Sequence, residues 1–294
     1  MAENRVITLN TGAKLPVIGL GTWQSTDAVA TEVVSAALKA GRKSNEAPIG
    51  KAIRGSGIPR SDIFVTDKVW PTWLSRAEES LDNSLRALGL DYIDLWLMHW
   101  PVSLNPNGND KKFPRRPDGS PDYEEGWGFL DAWRSMEAIF QRHPDKVKAI
   151  GVSNCSTTNL EKILRIATIV PAANQVELHP SLPQDKLVSY CKSKQIALIA
   201  YSPLGSPSSQ LIKETSLEKI AAKHGRNVAQ CLISWGIQSG WAVVPKSSSE
   251  KRIQENIQTF ELTMEDMTTI SSIGRGMPKR YNNPGWAVGI WHDD

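Results

Sequence analysis

Apolar runs of four or five residues recur along this chain, and each ends in groups that can reach a ligand. Leu95-Trp96-Leu97-Met98 runs into His99-Trp100 and stops at Pro101. The same layout returns where Ile63 to Thr66 leads into Asp67-Lys68-Val69-Trp70 and where Ala149 to Val152 leads into Ser153-Asn154. It returns again at Asn174 to Glu177 before His179, and at Ile196 to Ala200 before Tyr201-Ser202-Pro203. Near-continuous apolar runs suit strands covered on both faces of a parallel sheet. The C-terminal mouth of such a strand is where an α/β barrel carries its chemistry.

Segments with helical periodicity fill the intervals. Ser75-Arg76-Ala77-Glu78 has the spacing of a capping box, Leu81, Leu85 and Leu88 follow on one face, and Gly89 stands where a glycine ends a helix. Val29, Val33 and Ala37 mark an earlier helix that stops at Gly41. Further helices are predicted over 128–141, 157–167, 184–194, 216–223, 227–239 and 250–258, with a last one from Met264. Strand and helix therefore alternate, the signature of an α/β fold. No linker or low-complexity tract divides the 294 residues, so the expectation is one domain over 1–294, a size that a (β/α)8 barrel fills alone. The long irregular stretch from Val102 to Trp127 is a candidate substrate loop.

Composition adds limits. A net charge of +3, with both signs interspersed, offers no basic stripe for nucleic acid. The first residues lack the apolar core of a signal peptide, and no apolar run reaches the roughly 18 residues that span a bilayer, so the expectation is a cytoplasmic protein without membrane contact. Cys155, Cys191 and Cys231 are odd in number and far apart, which argues for reduced structural thiols and against a disulfide framework or a thiolate zinc site, and no metal is expected. A monomer is compatible with all of this.

Six collinear motifs carry a resemblance. Gly19-Leu20-Gly21-Thr22-Trp23, Leu97-Met98-His99-Trp100-Pro101, Gly151-Val152-Ser153-Asn154, Asn174-Gln175-Val176-Glu177, Tyr201-Ser202-Pro203-Leu204-Gly205 and Val244-Pro245-Lys246-Ser247 resemble the aldo-keto reductases in order and spacing. The likeness is to the fungal branch around glycerol dehydrogenases and aldose reductases, and it runs from the N-terminal hairpin to about Phe260. It implies a (β/α)8 barrel with an N-terminal β-hairpin, binding NADPH and reducing the carbonyl of a small aldehyde, ketone or 2-oxo acid. It also implies that Thr22 touches the cofactor, that Ser153, Asn154 and Gln175 hold the nicotinamide carboxamide, and that Tyr201 stacks on the ring. Ser202, Leu204 and Ser206 would line the pyrophosphate. Lys246, Ser247, Ser248 and Arg252 would meet the adenosine 2′-phosphate, with Glu255 and Asn256 near the adenine. Arg252 as a planar fork of donors and Lys246 as a point charge suit a phosphate dianion. Trp23, Trp70 and Trp100 at strand mouths suit an apolar substrate cleft.

One block departs from the family pattern. Only Arg42, Lys43 and Ser44 separate Gly41 from Asn45-Glu46, where the family has a second barrel strand with a catalytic aspartate and a loop with the catalytic tyrosine. Three or four extended residues span about 10 to 14 Å, whereas an ordinary strand needs about 17 to 20 Å. The second strand is therefore truncated: either Leu38 to Glu46 forms a makeshift strand or the barrel carries a defect. Lys68 and His99 remain as catalytic candidates. Asp67 is no substitute carboxylate, because strand alternation points it away from Lys68. His99 is then expected both to orient the carbonyl oxygen and to supply the proton, through water.

Plainer readings stand beside these. A lone His99 is a core histidine, Lys68 a surface lysine, Tyr201 and the tryptophans packing residues, and Lys246 with Arg252 solvated charges at a helix start. His179 reads as structural, and His143, His224 and His292 as loop or surface residues. For the whole chain, an impaired NADPH-dependent reductase competes with a cofactor-binding pseudoenzyme, and with a splice or gene-model variant of an active reductase.

Overall fold

A computed structural model of the chain describes residues 5–21, 46–206, 208–286 and 290. The expected first helix, Thr22, Trp23, the Gly41–Asn45 junction and His292 lie outside these residues, and with them the truncated second strand.

The chain opens with an antiparallel hairpin of β1 (Val6–Thr8) and β2 (Lys14–Pro16), Val6 opposite Pro16. Leu15 of β2 and Leu9 just after β1 are buried in one cluster with Leu95, Leu97, Ala149, Ala173, Ile199 and Ala242. The hairpin thus closes one end of a space lined by the strands that follow. After α1 (Glu46–Arg54) come β3 (Thr66–Val69), α2 (Ala77–Leu88), β4 (Leu95–Met98), α3 (Phe129–Arg142), β5 (Ile150–Ser153) and α4 (Thr157–Leu164). The alternation continues with β6 (Ala173–Glu177), α5 (Asp185–Ser193), β7 (Ala197–Tyr201), α6 (Thr215–Lys223), α7 (Val228–Gln238), β8 (Ala242–Val244), α8 (Glu250–Asn256) and α9 (Met264–Ser272).

β3 to β8 form one parallel sheet in sequence order. Beyond β8, parallel bridges join Ile18 to Val243 and Gly21 to Lys246, so residues 17–21 occupy the first strand position of a barrel. The Gly21 amide donates to the Pro245 carbonyl at 2.9 Å. A Cβ on Gly21 would lie 2.6 Å from the Val244 carbonyl oxygen, so a side chain there would push the strands apart. Seven of eight barrel positions are thereby filled among the described residues.

Two layers of core follow from strand alternation. Lys68 lies opposite Leu97, which belongs to the inner cluster; Asp67 lies opposite Trp96, which packs in the outer layer with the helices. Among the described residues the helices predicted from Leu81 onward are found in place, α1 is one that the pattern did not predict, and the capping box at Ser75 is not formed. Pro71–Arg76 is a 3-10 turn that runs directly into α2, and no side chain caps that helix. Pro71, at the first position of the turn, starts the helical path six residues early and leaves Ser75 inside it. Glu78 instead binds Arg142 at 2.5 Å and His143 at 2.8 Å, and His143 is a half-buried residue of the loop after α3. His224 likewise holds Asp266 at 2.8 Å.

Candidate active site

The strand mouths converge on one end of the sheet. Lys68 on β3 faces the interior with Leu97, and His99, two residues beyond Leu97, faces the same side one layer higher. Burial, opposed only by the charge of Asp67, brings the Lys68 ammonium down to about 8. Burial first, then the cations of Lys68 and Lys112, holds His99 well below the ordinary imidazole value. The neutral imidazole is favoured, and it keeps one ring N–H to donate.

Aromatic walls surround the imidazole. Trp70 stands edge-on to His99 with centroids 4.8 Å apart, and Trp100 lies parallel to it at 6.3 Å. Trp70 donates its indole N–H to the Lys112 carbonyl at 2.8 Å and meets Phe113 edge-on at 5.4 Å. Trp286 closes the other side, 5.2 Å from Trp100. Phe113 and Trp286 were not singled out from sequence. Both sit in irregular, proline- and glycine-containing segments, where the only available signal was a bulky aromatic with no periodic face to occupy. The 102–127 loop does reach the site, through Lys112 and Phe113.

A hydrogen-bond network ties the next three strands together behind His99. Asn154, at φ 59°, donates through Nδ2 to the His99 carbonyl at 2.9 Å and to Ser153 Oγ at 3.1 Å. Its Oδ1 accepts the Tyr201 hydroxyl at 2.7 Å, and Ser153 Oγ donates to the Gln175 carbonyl at 2.7 Å. Buried Ser153, Asn154 and the Gln175 main chain thus form one set with half-buried Tyr201, whose hydroxyl is kept protonated by burial and by the nearby Glu177 charge. Asn154 is largely committed to protein partners, so its first role is to fix the Tyr201 ring and the His99 backbone.

Further polar residues follow β7 and β8. Ser202 Oγ accepts from Asn282 Nδ2 at 3.3 Å, Leu204 is half-buried, and Ser206 Oγ lies 3.2 Å from Ser208 Oγ. After β8, Arg252 Nε reaches Ser247 Oγ at 3.4 Å and its terminal nitrogen reaches Ser248 Oγ at 3.5 Å. Exposed Lys246 precedes them. A guanidinium, an ammonium and two hydroxyls gathered on one turn make a donor set that fits a phosphate ester. Asn256 is buried, and the Glu255 carboxylate turns towards Asn227 at 3.5 Å. Cys155, Cys191 and Cys231 are free and buried. Among the described residues no group of three or more His, Cys, Asp or Glu could hold a metal ion, and no helix is long and apolar enough to cross a membrane.

Comparison with known proteins bears on the family and the fold. The profile of the Aldo/keto reductase family matches residues 17–275. Glycerol 2-dehydrogenase (NADP(+)) of Saccharomyces cerevisiae is 43% identical over 301 residues, covering 97% of this chain and 96% of that protein. D-galacturonate reductase of Hypocrea jecorina is 42% identical over 302 residues, covering 97% of each. Both alignments are longer than the 294-residue chain, so each relative has residues without a counterpart here. The aldose reductase structure from Schistosoma japonicum superposes with a TM-score of 0.84 at 34% identity, covering 91% of both chains.

Proposed function

This chain belongs to the aldo/keto reductase family, and on that footing we propose that it is an NADPH-binding barrel, one domain over 1–294, that reduces the carbonyl of a small aldehyde, ketone or 2-oxo acid slowly. The observation that carries the reading is the co-location of Lys68 and His99, ringed by Trp70 and Trp100, at the mouth from which the Ser153-Asn154-Tyr201 network leads to the Arg252 cluster. When bound, NADPH supplies a hydride from its nicotinamide ring.

The chain's own residues would do the rest. Tyr201, held by Asn154, offers a flat wall to an aromatic ring. Arg252, Ser247 and Ser248 would grip the 2′-phosphate, with Lys246 adding charge. Thr22 and Trp23 keep the roles that the family pattern assigns them. Neutral His99 would hold the carbonyl oxygen by donating an N–H. Lys68, near 8, is protonated at pH 7 and stands closer to the acidity that proton transfer needs, so it would supply the proton by way of water. The tyrosine and aspartate of the family pattern have no counterpart between Gly41 and Asn45, and this is the ground for expecting slow turnover.

Cofactor choice tests the binding half of the reading. Arg252→Ala should cost about 1.5 to 3 kcal/mol of NADPH affinity, the worth of one charge-assisted hydrogen bond, and leave NADH almost unaffected. A fluorescence titration in which both nucleotides weaken equally would show that Arg252 does not read the extra phosphate.

A further inference from the structure

Glu177 ends β6 and is completely buried at the barrel mouth, one layer above Gln175 and opposite Tyr201 in register. A carboxylate in such a place must be hydrogen-bonded. Its donors come from two directions. His179 donates Nε2–H to Oε1 at 2.9 Å from the same turn. The other two are main-chain amides of the distant C-terminal segment: Tyr281 N–H to Oε1 and Asn282 N–H to Oε2, each at 2.8 Å. Burial opposes the charge, yet these bonds hold the carboxyl below its usual value, so both oxygens act as acceptors.

The same segment is fastened on either side of that point. The Lys279 amide donates to the Ser181 carbonyl at 2.8 Å, and Arg280 reaches Gln184 Oε1 at 3.3 Å. Gln184 in turn donates to the Glu177 carbonyl at 2.6 Å. Earlier, Gly274 packs so closely that a Cβ would lie 2.4 Å from the Pro180 oxygen. Two sites then hang from this seat. Asn282 holds Ser202 in the groove after β7, and Trp286, four residues on, stands against Trp100 and Phe113 over His99.

We infer that Glu177 is a positioning residue that seats the C-terminal segment, so that the wall of the carbonyl pocket and the cofactor groove are set by one buried carboxylate. The assignment of the pocket to a carbonyl and of the adjoining residues to the cofactor rests on the reductase reading; the seat itself does not. Glutamine has the same shape but must turn an NH2 towards one of the two amides, so Glu177→Gln removes an acceptor and opposes donor to donor.

Limited trypsin digestion of the full chain reads the seat directly, because Lys279 and Arg280 are cleavage points within it. Without cofactor, Glu177→Gln should be cut after these residues about tenfold or more faster, as the locally opened form gains population, while cleavage in the barrel helices keeps its rate. Unchanged cleavage at 279–280, or acceleration equal at every site, would overturn the inference. If Glu177→Gln does not fold, Tyr281→Pro removes one donor from outside the barrel and carries the same expectation for cleavage after Lys279, the bond after Arg280 being closed to trypsin by the proline. Saturating NADPH should slow cleavage of the parent chain severalfold but not that of Asn282→Ala, a linkage that a packing role alone would not produce. Faster cutting of Glu177→Gln with no NADPH protection of the parent would uphold the seat and count against the cofactor assignment instead.

Discussion

Asp67 and Lys68 are neighbours on one strand and live in different solvents. Lys68 faces the barrel interior, while Asp67 points outward beneath α1 and α2, where Ser84 Oγ is already donated to Glu46 at 2.7 Å. Burial, aggravated by the Glu46 carboxylate, raises Asp67 to about 6 against the opposing pull of Ser84 and Lys68, and its Oδ2 is buried without a hydrogen-bond partner among the described residues. The folded chain therefore keeps a proton that the unfolded chain releases from about pH 4 upward. Stability falls as pH rises through the window from about 4 to about 6, and above it the cost of a buried charge is fully present. Asp67→Asn, neutral at every pH, should raise the melting midpoint at pH 7.5 and leave it nearly unchanged at pH 3.5. A loss at pH 7.5 would show that the carboxylate is satisfied there. The direction of Asp67 was legible from alternation alone. Its surroundings were not, because Glu46 and Ser84 come from helices whose packing no local pattern specifies.

Elements with a strong period were read with their ends within a few residues. The 128–141 prediction meets α3 at Phe129–Arg142, and the 227–239 prediction meets α7 at Val228–Gln238. What failed was a cap, at Ser75, since a proline-started 3-10 turn competes for the same residues. What was invisible were long-range caps, of which Glu137 is an example. Buried on α3, its Oε1 accepts the Thr168 amide at 2.7 Å and the Ile169 amide at 2.6 Å, closing the turn after α4. Glu137→Ala leaves two amides without their acceptor and should lower unfolding free energy by about 2 to 4 kcal/mol in urea, with the slope unchanged. A loss under about 1 kcal/mol would mean that water or the turn itself replaces the carboxylate. The site divides in the same manner. Lys68, His99, Asn154 and Tyr201 were legible because they end strands, while Phe113 and Trp286 arrive from segments without a period.

Among the described residues, the strands account for seven positions of the (β/α)8 barrel seen in the aldose reductase neighbour, and the family pattern leads us to expect the remaining one in the short stretch after Gly41, outside those residues. Restoring a strand and loop between Gly41 and Asn45, with an aspartate and a tyrosine at the family's places, should raise the melting midpoint and the turnover together. The added strand would bury apolar side chains, and the tyrosine would regain Lys68 and His99 as neighbours. A repaired chain that melts higher yet stays inactive would favour a cofactor-binding protein that does no chemistry. The central claim, an intact cofactor groove beside an incomplete catalytic set, is tested most directly by a single-turnover experiment. The chain is saturated with NADPH at pH 7, mixed with a simple aldehyde, and followed by nicotinamide fluorescence. The account predicts a clear signal of bound NADPH that then decays at about 0.1 to 0.001 s⁻¹, the ordinary median of about 10 s⁻¹ reduced by the 10² to 10⁴ that a positioned acid contributes. No binding signal, or decay at about 10 s⁻¹, would contradict it.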